Sequence, residues 1–156
     1  MKSSAELVVF AVDEQRVALA LPCVQRVVRA VEISPLPQGP SAVLGVINCH
    51  GEIIPVFNMR GRLHLPEREL EANDQFIIAR TARRTVVLVA DEVLGVQECA
   101  EAAVTAAAEI LPGLEGLDGV LRCDDGMILI HNLDKFLSLD EEQVLEMALR
   151  TQGAAP

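Results

Sequence analysis

The sequence predicts a mainly β fold closed by a C-terminal α-helix, and three observations carry that prediction. Half of the residues are hydrophobic while only 3% are aromatic, so Val, Leu, Ile and Ala must fill the core, and β-branched content favours sheet. Short apolar runs alternate with polar or glycine turns along most of the chain, which is the pattern of successive hairpins. Near the end, Ser138-x-x-Glu141 has capping-box spacing, and Val144, Leu145, Ala148 and Leu149 fall on one helical face.

Taken in order, Leu7 to Val12 and Val17 to Leu21 flank the polar turn Asp13-Glu14-Gln15-Arg16, an opening hairpin that Pro22 terminates. Val24 to Arg29 suits either a helical turn or a short strand. Ser34 to Pro40, with three prolines and a glycine, is a loop. Val43 to Asn48 and Glu52 to Asn58 form a second hairpin about His50-Gly51. Pro55 has no N–H for a ladder, which assigns it to an edge or a bulge. The charged stretch Pro66 to Asn73 is the internal boundary, as a helical turn or a link.

Phe76 to Ala79 and Thr85 to Ala90 flank Arg80-Thr81-Ala82-Arg83-Arg84, so the second half opens on a hairpin as the first does. Ala100 to Glu109 reads as helix by propensity. Gly113 to Gly119 is glycine-punctuated. Val120 to Cys123 and Met127 to Ile130 are the last strands, about the turn Asp124-Asp125-Gly126, and Gly153 to Pro156 frays.

At 156 residues the chain is one domain or two intimately packed halves, long enough for a core and too short for an added catalytic unit. A formal charge of −10 repels nucleic-acid backbones and anionic lipid alike. No apolar run reaches the ~18 residues of a membrane span, and the first residues lack a signal peptide's apolar stretch, so the expected location is cytoplasmic. Cys23, Cys49, Cys99 and Cys123 show no CxxC spacing and read as small core hydrophobes in a reducing compartment.

His50, His64 and His131 have no partner at metal-binding spacing, and no cofactor or metal is expected. His131 with Asp134 would give a base and its orienter, yet no nucleophile motif completes a triad. No phosphate loop or dinucleotide fingerprint occurs. Binding by surface is the function left to a small sheet domain with exposed edges.

The central segment Leu36-Pro37, Pro40, Val43, Gly45-Val46-Ile47-Asn48, Gly51, Ile54-Pro55-Val56, Arg60 and Leu63 resembles the CheW family of bacterial chemotaxis coupling proteins. The resemblance extends from about Leu7 to Leu139, through Ala90-Asp91, Ile110-Leu111-Pro112, Gly119-Val120 and Asp125-Gly126. It implies two intertwined five-stranded β-barrels of SH3-like shape with a C-terminal helix. It also makes Ala100 to Glu109 an extended crossing segment, the reading adopted over propensity. The implied organisation is a single domain over 1–156, with subdomains at about 7–65 and 74–139, strands exchanged between them, and a helix at about 139–150.

The implied function is a non-enzymatic adaptor joining the cytoplasmic signalling tip of a chemoreceptor to the regulatory domain of a CheA-type histidine kinase, the adaptor by itself being a monomer. The receptor groove would fall at Val24, Arg26, Asn48, His50 and Gly51, with Val93, Leu94 and Gly95 as its other wall; burial in the core is the competing reading for the last three. The kinase contact would lie between Phe76 and Leu129. The family commonly has Glu at the position of Arg26, Arg at that of His50 and Asp at that of Asn58, so a planar bidentate donor is exchanged for imidazole. These departures leave open a diverged adaptor that binds the kinase without the usual receptor, in a non-motility pathway. A weaker alternative is a small-ligand enzyme or sensor with His50 as acid or base.

Overall fold

The computed structural model describes residues 4–100, 104–106, 117–123 and 126–153. Among them, strands form two sheets. One places β8 (Glu92–Ala100), β1 (Ser4–Val12), β2 (Gln15–Ala20), β11 (Gly126–His131), β10 (Leu117–Cys123) and β9 (Val104–Ala106) side by side in that order. The other runs β3 (Val24–Arg29), β6 (Gln75–Arg80), β7 (Thr85–Ala90), β5 (Glu52–Phe57) and β4 (Val43–Cys49). Two short parallel pairings, β2 with β11 and β5 with β7, join strands distant in the chain; the other neighbours are antiparallel. Helix α1 (Met59–Arg62) follows β5, and α2 (Leu139–Gly153) closes the fold.

Alternation along each strand divides the core into three layers. In β7, Val86, Leu88 and Ala90 point into a central cluster, while Val87 points into the interior of the five-stranded sheet. In β1, Phe10 and Val12 join the central cluster, and Leu7 and Val9 enter the interior of the six-stranded sheet. Both faces of these strands are buried, which is why they read as continuous apolar runs instead of alternating ones. Each sheet also curls. Val28 of β3 and Ile47 of β4, from opposite edges of the five-stranded sheet, meet in one cluster, as Cys99 of β8 and Val104 of β9 do in the other. The hydrogen-bond ladders do not close either curl among the described residues. The result is a pair of SH3-like sheets, with the short β9 as a sixth strand beside the five expected in one of them.

The hairpins follow their turn chemistry. His50 and Gly51 both have positive φ (53° and 88°) between the paired Cys49 and Glu52, the two-residue connection whose twist matches its strands. Val24–Arg29 resolves as strand. Pro55 lies within β5, a strand flanked by β4 and β7, and not on an edge; it is tolerated because pairing with β7 begins only at Val56. Val104–Ala106 is extended against β10, as the crossing-segment reading expects; residues 101–103, 107–116 and the turn residues 124–125 lie outside the described residues.

The capping box forms as read. Glu141 N–H donates to Ser138 Oγ (3.1 Å), and Ser138 N–H donates to Glu141 Oε1 (2.9 Å). On α2, Leu145 and Ala148 are buried, but Val144 is 44% exposed and belongs to the outer face.

His131 ends β11 in the core, 4% exposed, and neither ring nitrogen has a hydrogen-bond partner. It makes no pair with Asp134, whose carboxylate instead accepts from the Ala82 N–H at 2.7 Å. Burial, with the nearby charge of Arg62, pushes the imidazole down to about 4. Because the unfolded chain binds this proton more readily, the stability conferred by neutral His131 is fully present above about pH 6.5 and is lost as pH falls through the folded-state value. Stability is expected to fall by up to about 3 kcal/mol between pH 6.5 and 4. His131→Leu should flatten that slope in urea titrations followed by circular dichroism; an unchanged slope would remove His131 as its source.

Candidate partner-binding surface

The expected groove residues occupy two edges. Val24 and Arg26 lie on β3, an edge strand, where Val24 packs partly into the central cluster and Arg26 is exposed. Asn48, His50 and Gly51 form the tip of the β4–β5 hairpin, all exposed, with Asn48 Oδ1 accepting from the Gly51 N–H at 2.9 Å. That bond holds the tip in its left-handed turn and gives Asn48 a structural task as well. Arg26 Nη2 donates to Cys49 Sγ at 3.0 Å, so the β3 edge and the hairpin tip become one surface across the gap between the sheet's two edges.

Val93, Leu94 and Gly95 lie on β8, an edge of the other sheet. Val93 is half-buried against the central cluster and its N–H donates to Gln75 Oε1 at 2.7 Å. Leu94 is 49% exposed, and Gly95, at φ 129°, faces open space. Gln75 is the ladder partner of Arg29, so the two edges are linked through that side chain. No hydrogen bond or ion pair among the described residues joins Leu94 or Gly95 to Arg26 or His50. Beside Leu94, Val96 is 57% exposed, which extends an apolar strip along this edge strand, paired on one side only, with β1.

An ionic cluster missed by sequence reasoning fastens the elements behind these edges. Asp91, between β7 and β8, accepts from Arg60 Nη2 (3.0 Å) and Arg68 Nη2 (2.6 Å) and from the Asp13 N–H (2.7 Å). Arg60 also reaches Asp13 (2.8 Å) and the Pro66 carbonyl (3.1 Å); Arg68 makes a bidentate pair with Asp74 (2.7 and 3.0 Å). The hydrogen bond from Arg60 holds the Asp13 carboxyl below its ordinary value. Burial acts to raise Asp74, but the hydrogen bonds from Arg68 and the Glu71 N–H outweigh it. Both guanidinium groups are held above their usual range. Arg60 and Asp91 stood within the resemblance, but the turn residue Asp13 gave no sign of a partner 78 positions away.

A second set of contacts secures α2. Arg62 Nη2 donates to Glu141 at 2.6 Å and its guanidinium lies 5.1 Å from the Phe136 ring centre. Arg84 bridges Glu142 and Glu146 at 3.1 and 3.0 Å. The described residues hold no group of three or more His, Cys, Asp or Glu placed to bind a metal. No described helix is long and apolar enough to cross a membrane.

With this geometry in view, the comparisons with known proteins converge. The CheW-like domain matches residues 6–141. The chain is 27% identical to the chemotaxis protein CheW of Treponema pallidum over 146 residues, covering 90% of this chain and 86% of that one. It is 30% identical to CheW of Thermotoga maritima (85% and 87% covered) and 30% identical to protein FrzA of Myxococcus xanthus (90% and 89%). The crystal structure of the scaffolding protein TtCheW from Thermoanaerobacter tengcongensis superposes with a TM-score of 0.78 at 26% identity, covering 90% of this chain and 96% of that one. The fold defines the class, a small mainly β scaffold; the chain belongs to the CheW-like family. Members of that family are non-enzymatic scaffold adaptors of chemotaxis signalling.

Asp91→Asn keeps the side chain's size but strips a carboxylate from two arginines. It is expected to cost about 1–3 kcal/mol. Urea unfolding followed by far-ultraviolet circular dichroism measures it, since the chain has no Trp or Tyr to report by fluorescence. A loss below a few tenths would show that Asp91 does not hold the cluster together.

Proposed function

We propose that this chain couples the cytoplasmic tip of a chemoreceptor to the regulatory domain of a CheA-type histidine kinase, as a cytoplasmic monomer recruited to membrane receptor arrays. The observation that carries the reading is the Arg26–Cys49 contact, which makes the β3 edge and the hairpin tip at Asn48, His50 and Gly51 one exposed patch on a CheW-like fold. Val93, Leu94 and Gly95 supply the second, apolar wall on β8. An apolar strip on one edge and an exposed cation on the other suit a helical partner that presents both apolar and acidic side chains.

Arg26 gives the patch an exposed cation in a chain of net charge −10. A receptor tip presenting a carboxylate to Arg26 is the matching partner. The kinase contact belongs to the second half of the chain, between Phe76 and Leu129, and the chain works as one domain.

Size-exclusion of the labelled kinase regulatory domain with this protein, with and without a soluble receptor tip, tests the coupling. A ternary complex is expected; kinase binding without receptor would replace this reading with the diverged adaptor, and binding to neither would overturn it. Arg26→Glu is expected to weaken receptor binding by roughly 10-fold or more while leaving the unfolding midpoint and kinase binding unchanged. Unchanged receptor affinity would remove Arg26 from the contact.

A further inference from the structure

Beneath the segment that joins α1 to β6 lies a cavity of about 320 Å³ that forms no part of the proposed coupling surface. Ile33, Leu44, Phe57, Met59, Leu70 and Val89 form most of the apolar part of its wall, and Asn58, Asp74 and four further charged residues form the polar part. Leu44 and Leu70 stand at the mouth, 45% and 38% exposed. The volume lies at the small end of the roughly 300–1,000 Å³ typical of ligand pockets.

The charges around it are unequally engaged. Arg60 and Arg68 line the cavity, but they are taken up by Asp13, Asp74 and Asp91, three carboxylates on two guanidinium groups. Glu67 and Glu69 also line it, and neither carboxylate has an ion-pair or hydrogen-bond partner among the described residues. The uncommitted charge at the opening is therefore negative, while the cationic groups are neutralised from behind. An anionic guest would meet two like charges and find the arginine donors occupied; a cation with an aliphatic stem meets the opposite.

We propose that this cavity binds an alkylammonium group, a primary amine on a four- to six-carbon aliphatic chain, either as a free amine or as the lysine side chain of a partner protein. The stem lies against Leu44, Phe57, Met59 and Val89, and the ammonium remains at the mouth between Glu67 and Glu69. The inference does not depend on the coupling role, since none of the residues assigned to the receptor contact lines the cavity.

Methyl-labelled full-length protein, titrated by NMR with n-hexylammonium, with hexanoate and with Nα-acetyl-lysine methylamide, tests it. The amine is expected to bind in the millimolar range typical of so small a ligand. Its shifts should be concentrated on the methyls of Ile33, Leu44, Met59, Leu70 and Val89, with hexanoate at least 10-fold weaker. The double variant Glu67→Gln/Glu69→Gln, both at exposed positions, should lower amine affinity about 5-fold without moving the unfolding midpoint. Saturation by the lysine derivative at comparable concentration identifies a partner's lysine as a competent guest; saturation by hexylammonium alone identifies a free amine. Equal binding of hexanoate, shifts away from these methyls, or no saturation by either amine would overturn the proposal.

Discussion

Phe57 and Phe136 stack with ring centres 4.4 Å apart and planes 11° from parallel, and this contact is where the two sheets and the last helix are held together. Phe57 ends β5 in the five-stranded sheet. Phe136 follows β11 of the six-stranded sheet and precedes α2. The chain has only four phenylalanines and no Trp or Tyr, and all four are buried, so large rings are concentrated where distant segments must meet. Truncating either ring would cost about 3–5 kcal/mol by the usual cavity accounting. Arg62 extends the joint: it covers Phe136 and binds the glutamate of the α2 capping box, so α1, the aromatic stack and the start of α2 form one bolted unit.

Double-sided burial decides what could be read from sequence. The turns were legible because they carry their own chemistry: His50-Gly51 needs positive φ, and Ser138 with Glu141 satisfies a helix start. Runs such as Thr85 to Ala90 reveal a strand but not its sheet, because a strand apolar on both faces shows no alternation to say which side faces which layer. β3 was ambiguous for a related reason: its exposed edge position mixes Gln25, Arg26 and Arg29 with valines. Val144 was misplaced because the apolar arc of α2 is broader than the face that the core covers.

The candidate surface was legible in parts. Arg26 and the hairpin tip could be named from the resemblance, but their union through Cys49 depends on the curl of a sheet whose two edge strands are neither adjacent nor paired. The ionic cluster was harder still. Asp13, Arg60, Arg68, Asp74 and Asp91 come from the β1–β2 turn, helix α1, the link to β6 and the β7–β8 junction, and no local pattern predicts that one carboxylate will serve two arginines.

A scaffold does its work by fixing where its surfaces stand relative to each other, and the strand order bears directly on that. β1 and β2 leave the start of the chain to lie among β8, β10 and β11, while β3 to β7 build the other sheet. The two sheets are therefore crossed by the chain at Leu21 to Cys23 and again between β7 and β8. The second crossing is the one Asp91 occupies. Its backbone N–H donates to Ala11 in β1, and its carboxylate binds α1 and the segment leading to β6, immediately before β8 begins. The apolar edge at Val93 to Val96 is thus anchored two residues from a junction tied to both sheets. Displacing that edge by binding must strain either the ion cluster or the central apolar layer. The central layer resists small displacements because it is close-packed, and the partly exposed ion cluster adds several mutually shared hydrogen bonds to the junction. Rigidity between the β8 edge and the β3 edge is consequently a property of the interleaved topology, and it is the property an adaptor without chemistry of its own requires.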